Sequence, residues 1–182
     1  MTAPLYRRLL GARFENLPAR VRELHDLTGR SMWAGRADVE RGRSLPSRLV
    51  ATLFGLPPAG RDQALQVTFQ VDGDREIWSR TFGNAVFRSV QDERGGLLRE
   101  RVGPSTFVFA LETSADGMAL KLQGVRLLGV PLPRFMSPSV CTFESERDGR
   151  YHFEVEAALP LLGRIVRYAG WLDREDTAPP PR

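Results

Sequence analysis

The hydrophobic period of this chain changes once, near residue 63, and that change limits the folds open to it. Before this point, apolar residues recur at helical spacing. After it they alternate with polar residues, as Leu65, Val67 and Phe69 do, which is the pattern of a half-buried strand. Turn-forming pairs such as Asp72-Gly73 interrupt this second part at close intervals. The pattern predicts an antiparallel meander of about eight or nine strands over residues 63–172.

An antiparallel sheet of that length is not expected to stay flat, because neighbouring strands are twisted relative to one another. It must curl around a core or close into a barrel. Helical segments precede it: Pro18 suits the start of one helix, and Ser44 is a suitable N-cap for a second. We therefore expect an α+β fold, with N-terminal helices packed on a long, curled, antiparallel β-sheet that is open and barrel-like.

The length of 182 residues fits one domain. We expect a globular domain over residues 1–173, mainly helical over 1–60, followed by a disordered tail over 174–182. No apolar run reaches the roughly 20 residues of a membrane-spanning helix, and the first residues lack the pattern of a secretory signal. The single cysteine, Cys141, permits no internal disulfide and is expected to be buried. These features predict a cytoplasmic protein with no membrane span.

A net charge of +4 raises the possibility of a nucleic-acid partner. The 26 basic residues include only one lysine, Lys121, and the arginines are scattered among acids, so we expect none. His25, expected to be a core histidine or a partner of the helix C-terminal dipole, lies far from His152 and Cys141 in sequence, so the chain lacks zinc-like spacing and predicts no metal. Neither GxGxxG nor a phosphate-binding loop occurs, so no cofactor is predicted.

Trp78, Arg80 and Phe82 are candidate ligand-binding residues, because alternate positions of a strand face the same way. An arginine between two aromatic rings has two interpretations. It pairs with an acid of a neighbouring strand, for which Glu100 is the candidate, or it binds the charged group of a ligand.

The last two strands carry further candidates. His152 and Glu154 share a face, which is either solvated or, together with Arg80, part of an acid–base set in a cavity. Tyr168 and Trp171 each bring a polar atom on an aromatic body. They belong either to packing contacts or to a site where they give hydrogen bonds to a ligand.

Residues 127–138, with the sequence LLGVPLPRFMSP, form an apolar segment whose prolines suit neither a helix nor a central strand. Such a segment either plugs the core or forms the lip of an apolar cavity. In the second case, Leu132, Phe135 and Met136 beside Arg134 suit an amphipathic molecule with an anionic head, since methionine adapts to varied shapes.

Taken in order, several stretches resemble a bacterial family, the domain of unknown function 4166, over roughly residues 5–172. The resemblance rests on LYRRLLGARFENLPARVRELH, GLPPAG, EIWSRTFG, LLRERVGP, LLGVPLPRFMSP, DGRYHFEVEAALPLLGRIVRY and GWL. It implies a domain without an assigned activity. Some members of the family follow a dinucleotide-binding oxidoreductase domain, which implies an oxidoreductase as a possible partner in trans.

The leading functional prediction is a non-enzymatic binding module for an apolar or amphipathic small molecule. It depends on the curled sheet, the apolar segment and the lack of a catalytic motif. Two alternatives stay open. The first is an enzyme with acid–base residues in the sheet cavity, and the second is an interaction domain that docks onto an oxidoreductase or a second copy through a sheet edge or the last strand. Oligomeric state does not follow from the sequence.

Overall fold

Alternating apolar residues build one closed β-barrel in this computed structural model, which describes residues 3–175. The strands are β1 (Arg30–Arg41), β2 (Gly60–Asp72), β3 (Arg75–Phe82), β4 (Ala85–Arg94), β5 (Leu97–Val102), β6 (Ser105–Ser114), β7 (Gly117–Leu127), β8 (Val130–Pro131), β9 (Ser139–Arg147), β10 (Arg150–Leu159) and β11 (Gly163–Arg174). The helices of this part of the chain are α1 (Leu5–Leu10), a 3₁₀ turn (Gly11–Asn16), α2 (Ala19–His25) and α3 (Leu45–Leu53).

Ten of these strands close the barrel, and all neighbours are antiparallel. The sheet runs from β6 through β5, β4, β3, β2, β1, β11, β10 and β9 to β7, and β6 also pairs with β7. The two-residue β8 pairs only with the end of β7. The nine barrel strands from β2 to β11 agree with the eight or nine expected over residues 63–172, and β1 is the tenth strand, which closes a sheet that we expected to be open.

Closure depends on β1, which lies within the segment expected to be mainly helical. This strand pairs with β2 on one side and with β11 on the other. Glycines allow the close approach of β1 and β11. A Cβ atom on Gly170 would lie 2.0 Å from the carbonyl oxygen of Arg36, and one on Gly35 would lie 1.9 Å from that of Trp171.

The helices close the ends of the barrel instead of covering one face of a sheet. One end of the barrel, which we call the plug end, carries the β2–β3, β4–β5, β6–β7 and β9–β10 turns, and α1 and α2 bind two of them: Arg8 donates to the carbonyl oxygen of Asp74, and Arg20 to that of Gly149. The opposite end, the rim end, carries α3 and the other connections. Ser44 caps α3 as expected, since its Oγ accepts the amide of Ser47 at 3.2 Å.

Inward-facing side chains form the core. Leu65, Val67 and Phe69 point inward and are buried, as their alternation predicted. The largest fully buried apolar side chains are Trp33, Tyr6, Phe14, Phe69, Phe82, Leu5, Leu24, Leu98 and Met118.

The end of the chain falls only partly within the described residues. Arg174, which we assigned to a disordered tail, is the last residue of β11 and pairs with Trp33 of β1. Residues 176–182 of that tail lie outside the described residues. Within residues 3–175, no helix combines the length and the apolar character that crossing a membrane requires.

Candidate functional site

A cavity of about 330 Å³ occupies the barrel between the two ends. Its wall is built from inward positions of the strands, which are mostly large apolar residues because alternate residues of each strand face inward. Representative wall residues are Leu65, Val67, Phe107, Phe109, Leu120 and Phe153. At the rim end the wall is completed by Val50 and Phe54 of the α3 segment.

Polar side chains gather toward the plug end of this cavity, and we call Tyr6, Arg80, Gln91, Glu100 and Glu144 the polar floor. The phenol of Tyr6 donates to Oε1 of Gln91 at 3.0 Å, and Nε2 of Gln91 donates to Oε1 of Glu100 at 3.3 Å. An Nη atom of Arg80 lies 3.6 Å from the same Glu100 oxygen. Tyr6, Gln91, Glu100 and Arg80 thus form a connected network, which holds these four side chains in fixed positions.

Glu144, the remaining residue of the polar floor, is held by a buried contact with α2. His25 of α2 places Nε2 2.5 Å from Oε2 of Glu144, and both side chains are buried. The ring of Tyr6 lies against His25 in a tilted contact, with ring centroids 3.7 Å apart. Nδ1 of His25 has no hydrogen-bond partner within residues 3–175. This contact ties α2 to β9 and confirms His25 as a core histidine.

Burial fixes the protonation state of the phenols around the floor. It raises the pKa of Tyr6 and of Tyr151 well above 10, and the negative charge of Glu144 raises both pKa values further. The pKa of Tyr168 is also raised by burial. All three phenols therefore stay protonated at neutral pH, which leaves each able to donate a hydrogen bond.

Some of the predicted site residues come together here. Trp78, Arg80, Tyr168 and Leu132 all line the cavity. Phe82 is buried and points inward, with its ring 6.1 Å from that of Tyr168 in an edge-on contact. Arg80 pairs with Glu100, as one of its two interpretations predicted, and it also faces the cavity. Glu100 lies two strands away from it, across β4.

The apolar segment 127–138 divides between the cavity and the outside. Leu127, Leu132 and Pro138 line the cavity. Arg134, Phe135 and Met136 are exposed, with 76% of Phe135 accessible to solvent. The segment is therefore part of the cavity wall at the rim end, and its other side chains point into solvent.

Exposed apolar side chains are confined to the rim end. We call them the apolar rim. In the described part of the chain, the large apolar side chains exposed to solvent are Leu45, Leu49, Leu53, Val86, Leu127, Leu128, Val130, Phe135, Met136 and Leu161. Each lies in or beside a connection at the rim end, and several connections that carry the rim also line the cavity.

Other candidates face away from the cavity. The strand register puts His152, Glu154 and Trp171 on the outer wall. Arg150 lies over the Trp171 ring at 4.3 Å, and Arg167 pairs with Glu154 at 2.7 Å. His152 and Glu154 therefore do not meet Arg80, and an acid–base set of these three does not form. Cys141, expected to be buried, is also exposed on this wall.

The sequence analysis missed Tyr6, Gln91, Glu144 and Tyr151. The sequence did contain a signal for Glu144. Val140, Thr142 and Glu144 share one face of β9, and a carboxylate on the inward face of a strand is unusual. Within residues 3–175, no group of three or more His, Cys, Asp or Glu side chains is arranged to hold a metal ion.

Comparison with known proteins finds one family model that matches the sequence. The sequence model described as "Domain of unknown function (DUF4166)" matches residues 17–172. No curated protein matches the sequence significantly.

Proposed function

We propose a ligand-binding function for this chain, which belongs to the DUF4166 family of domains of unknown function. Its barrel would take up one apolar or amphipathic small molecule. The observation that carries the proposal is the cavity of about 330 Å³, with an apolar wall and a few fixed polar groups at one end. Ligand pockets typically have this composition and start at about 300 Å³.

The polar floor favours an uncharged head group on the ligand. Arg80, the cationic residue of the floor, is already paired with Glu100, and Glu144 adds a second carboxylate. An anionic head would have to displace Glu100 from Arg80, which leaves a buried carboxylate unpaired. A hydroxyl or carbonyl group exchanges hydrogen bonds with the floor without that cost. A long-chain alcohol therefore fits the cavity better than the corresponding carboxylate.

The first test is native mass spectrometry of the purified protein before and after extraction with organic solvent. We expect an additional mass that disappears on extraction. The emptied protein is then heated with 1-dodecanol or with dodecanoate. A ligand at about 100 times its Kd stabilises the folded state by about 2.7 kcal/mol, so we expect 1-dodecanol to raise the Tm more than dodecanoate does.

Two neighbouring positions of β9 provide a matched pair of variants. Thr142 lines the cavity, whereas Cys141 is exposed on the outer wall. Thr142→Phe places a ring inside, and since benzene fits a cavity of about 150 Å³, that ring removes roughly half of the space. Cys141→Phe adds the same ring outside. We expect the alcohol to stabilise wild type and Cys141→Phe but not Thr142→Phe. An equal response of all three proteins would contradict binding in the barrel.

A further inference from the structure

We propose that the apolar rim docks the protein onto the surface of an anionic lipid bilayer. This goes beyond the binding of a small molecule, because it assigns a partner to a different surface. Docking itself does not require a ligand in the cavity. Only its consequence, a ligand that passes between bilayer and barrel, rests on the proposed function.

The first observation is the cost of exposing these side chains to water. Leu161, at the tip of the β10–β11 turn, is fully exposed, and its backbone is left-handed with φ of 66°. Leu128 also has a left-handed backbone, with φ of 51°. Bulky residues rarely adopt this conformation, and glycine or asparagine would serve a simple turn better. Leucine at both places costs backbone strain and leaves apolar area exposed to water. A surface that meets lipid would bury that apolar area.

The second observation is that α3 is apolar on two faces. Val50 and the C-cap residue Phe54 line the cavity, while Leu49 and Leu53 point outward with 70% and 79% of their surface exposed. A surface helix of a water-soluble protein normally presents polar residues on its outer face. A helix that lies in a lipid interface instead presents leucines there.

Charge separates the two ends of the barrel. The five connections at the rim end contain Arg43, Arg48 and Arg134 and no Asp or Glu. They are residues 42–59, 83–84, 103–104, 128–138 and 160–162. The plug end is mixed in charge: three of its four turns carry an aspartate (Asp74, Asp116 and Asp148), and the helical segment 3–29 carries both arginines and acids.

The carboxylates nearest to the rim lie on the outer wall and are already paired. Arg164 contacts Glu40 at 2.8 Å and Glu156 at 3.1 Å, and Arg36 contacts Asp62 at 3.2 Å. The rim end therefore combines apolar tips with arginines and lacks acids of its own.

This combination suits an anionic bilayer better than a second copy of the chain. In a two-fold dimer through the rim, Arg43, Arg48 and Arg134 would face the rim arginines of the other copy with no rim acid between them, which is repulsive. At a bilayer, leucine and phenylalanine enter the interface while arginines reach the phosphate level with their long side chains. Because the rim segments also line the cavity, docking turns that end of the barrel toward the lipid.

The test is co-sedimentation with vesicles of phosphatidylcholine alone or with about one-third phosphatidylglycerol, an anionic lipid. We expect wild type to pellet with the anionic vesicles and to be released as salt rises from about 0.05 M to about 0.5 M. Leu49→Ser/Leu53→Ser and, separately, Phe135→Ser should each weaken partitioning, the double variant at least tenfold. All three positions are exposed, so the variants should unfold at the wild-type temperature.

A pair of arginine variants separates location from net charge. Arg48→Ser should weaken binding about fivefold, whereas Arg94→Ser, an exposed arginine next to the plug-end β4–β5 turn, should have little effect. Thr142→Phe should sediment like wild type even if it no longer binds the alcohol, so docking and ligand binding can fail separately. Wild type that stays in the supernatant, or rim variants that pellet like wild type, would overturn the proposal. So would wild type that stays unbound but dimerises or captures an oxidoreductase through the rim.

Discussion

Substitution of Arg80 or Glu100 should lower the free energy of unfolding, because the two residues form a largely buried ion pair in the polar floor. Their nearest charged atoms are 3.6 Å apart, and the side chains are only 13% and 15% exposed. At this separation, two charges attract with about 4.6 kcal/mol at an effective dielectric constant of about 20. Arg80→Met leaves Glu100 without its partner, so we expect a loss of about 3 kcal/mol in the free energy of unfolding.

Glu100→Gln is a conservative partner for a double-mutant cycle, because its amide oxygen still accepts the hydrogen bond from Gln91. The double variant carries no unpaired charge and should lose less than the sum of the two single variants. We expect a coupling energy of about 2–3 kcal/mol from urea unfolding of the four proteins.

An exposed pair at almost the same distance provides the control. Lys121 and Glu112 are 3.8 Å apart on β7 and β6, with 55% and 64% of their side chains exposed. In water this separation corresponds to only about 1.1 kcal/mol, and exposed pairs usually couple by about 0.2–1 kcal/mol. The reasoning is refuted if the Arg80–Glu100 coupling is no larger than that of Lys121→Met with Glu112→Gln, because burial would then not control the interaction.

Two other predictions concern protonation and closure. Burial raises the pKa of Glu76, whose Oε2 accepts from Nε1 of Trp78 at 3.1 Å. Its stabilising contribution is therefore complete below the unfolded pKa and is lost as pH rises through the folded pKa, so Glu76→Gln should exceed wild type in urea stability at pH 8 but match it at pH 4. Gly170→Ala should lose about 1–3 kcal/mol in the same assay, because its Cβ would meet the Arg36 carbonyl, whereas Gly124→Ala, which meets nothing within 4 Å, should be nearly neutral.

The alternation of apolar residues was enough to predict which side chains of most strands face inward. Trp78, Arg80 and Phe82 were assigned to one face, and they share the inner face of β3. This works because the side-chain period of a strand is two, so a local pattern determines the facing of each residue. The same reasoning assigned His152 and Tyr151 to opposite faces of β10. In the barrel, His152 faces outward and Tyr151 faces inward.

The pairing of β1 with β11, which closes the barrel, was beyond that reasoning, because it joins distant parts of the chain. β1 joins β2 to β11, so its partner Gly170 is more than a hundred residues away in sequence. No turn signal marks such a contact, since turns report only the pairing of consecutive strands. The polar floor has the same property: Tyr6 and Gln91 are 85 residues apart and meet only in the folded barrel.

The number of strands explains why the barrel retains a cavity at all. A barrel of about eight strands is just wide enough to be filled by its own side chains or to hold one small ligand. A barrel of ten strands has a wider interior. In this chain α1 and α2 fill part of that interior at one end, and α3 fills part of it at the other. The polar floor fills the space next to α1 and α2 at the plug end. Its side chains cannot move inward to fill the cavity without losing hydrogen bonds. The space that remains is bounded by apolar residues and by the rim segments, so the strand count, the floor and the rim together favour a container that is loaded from one end.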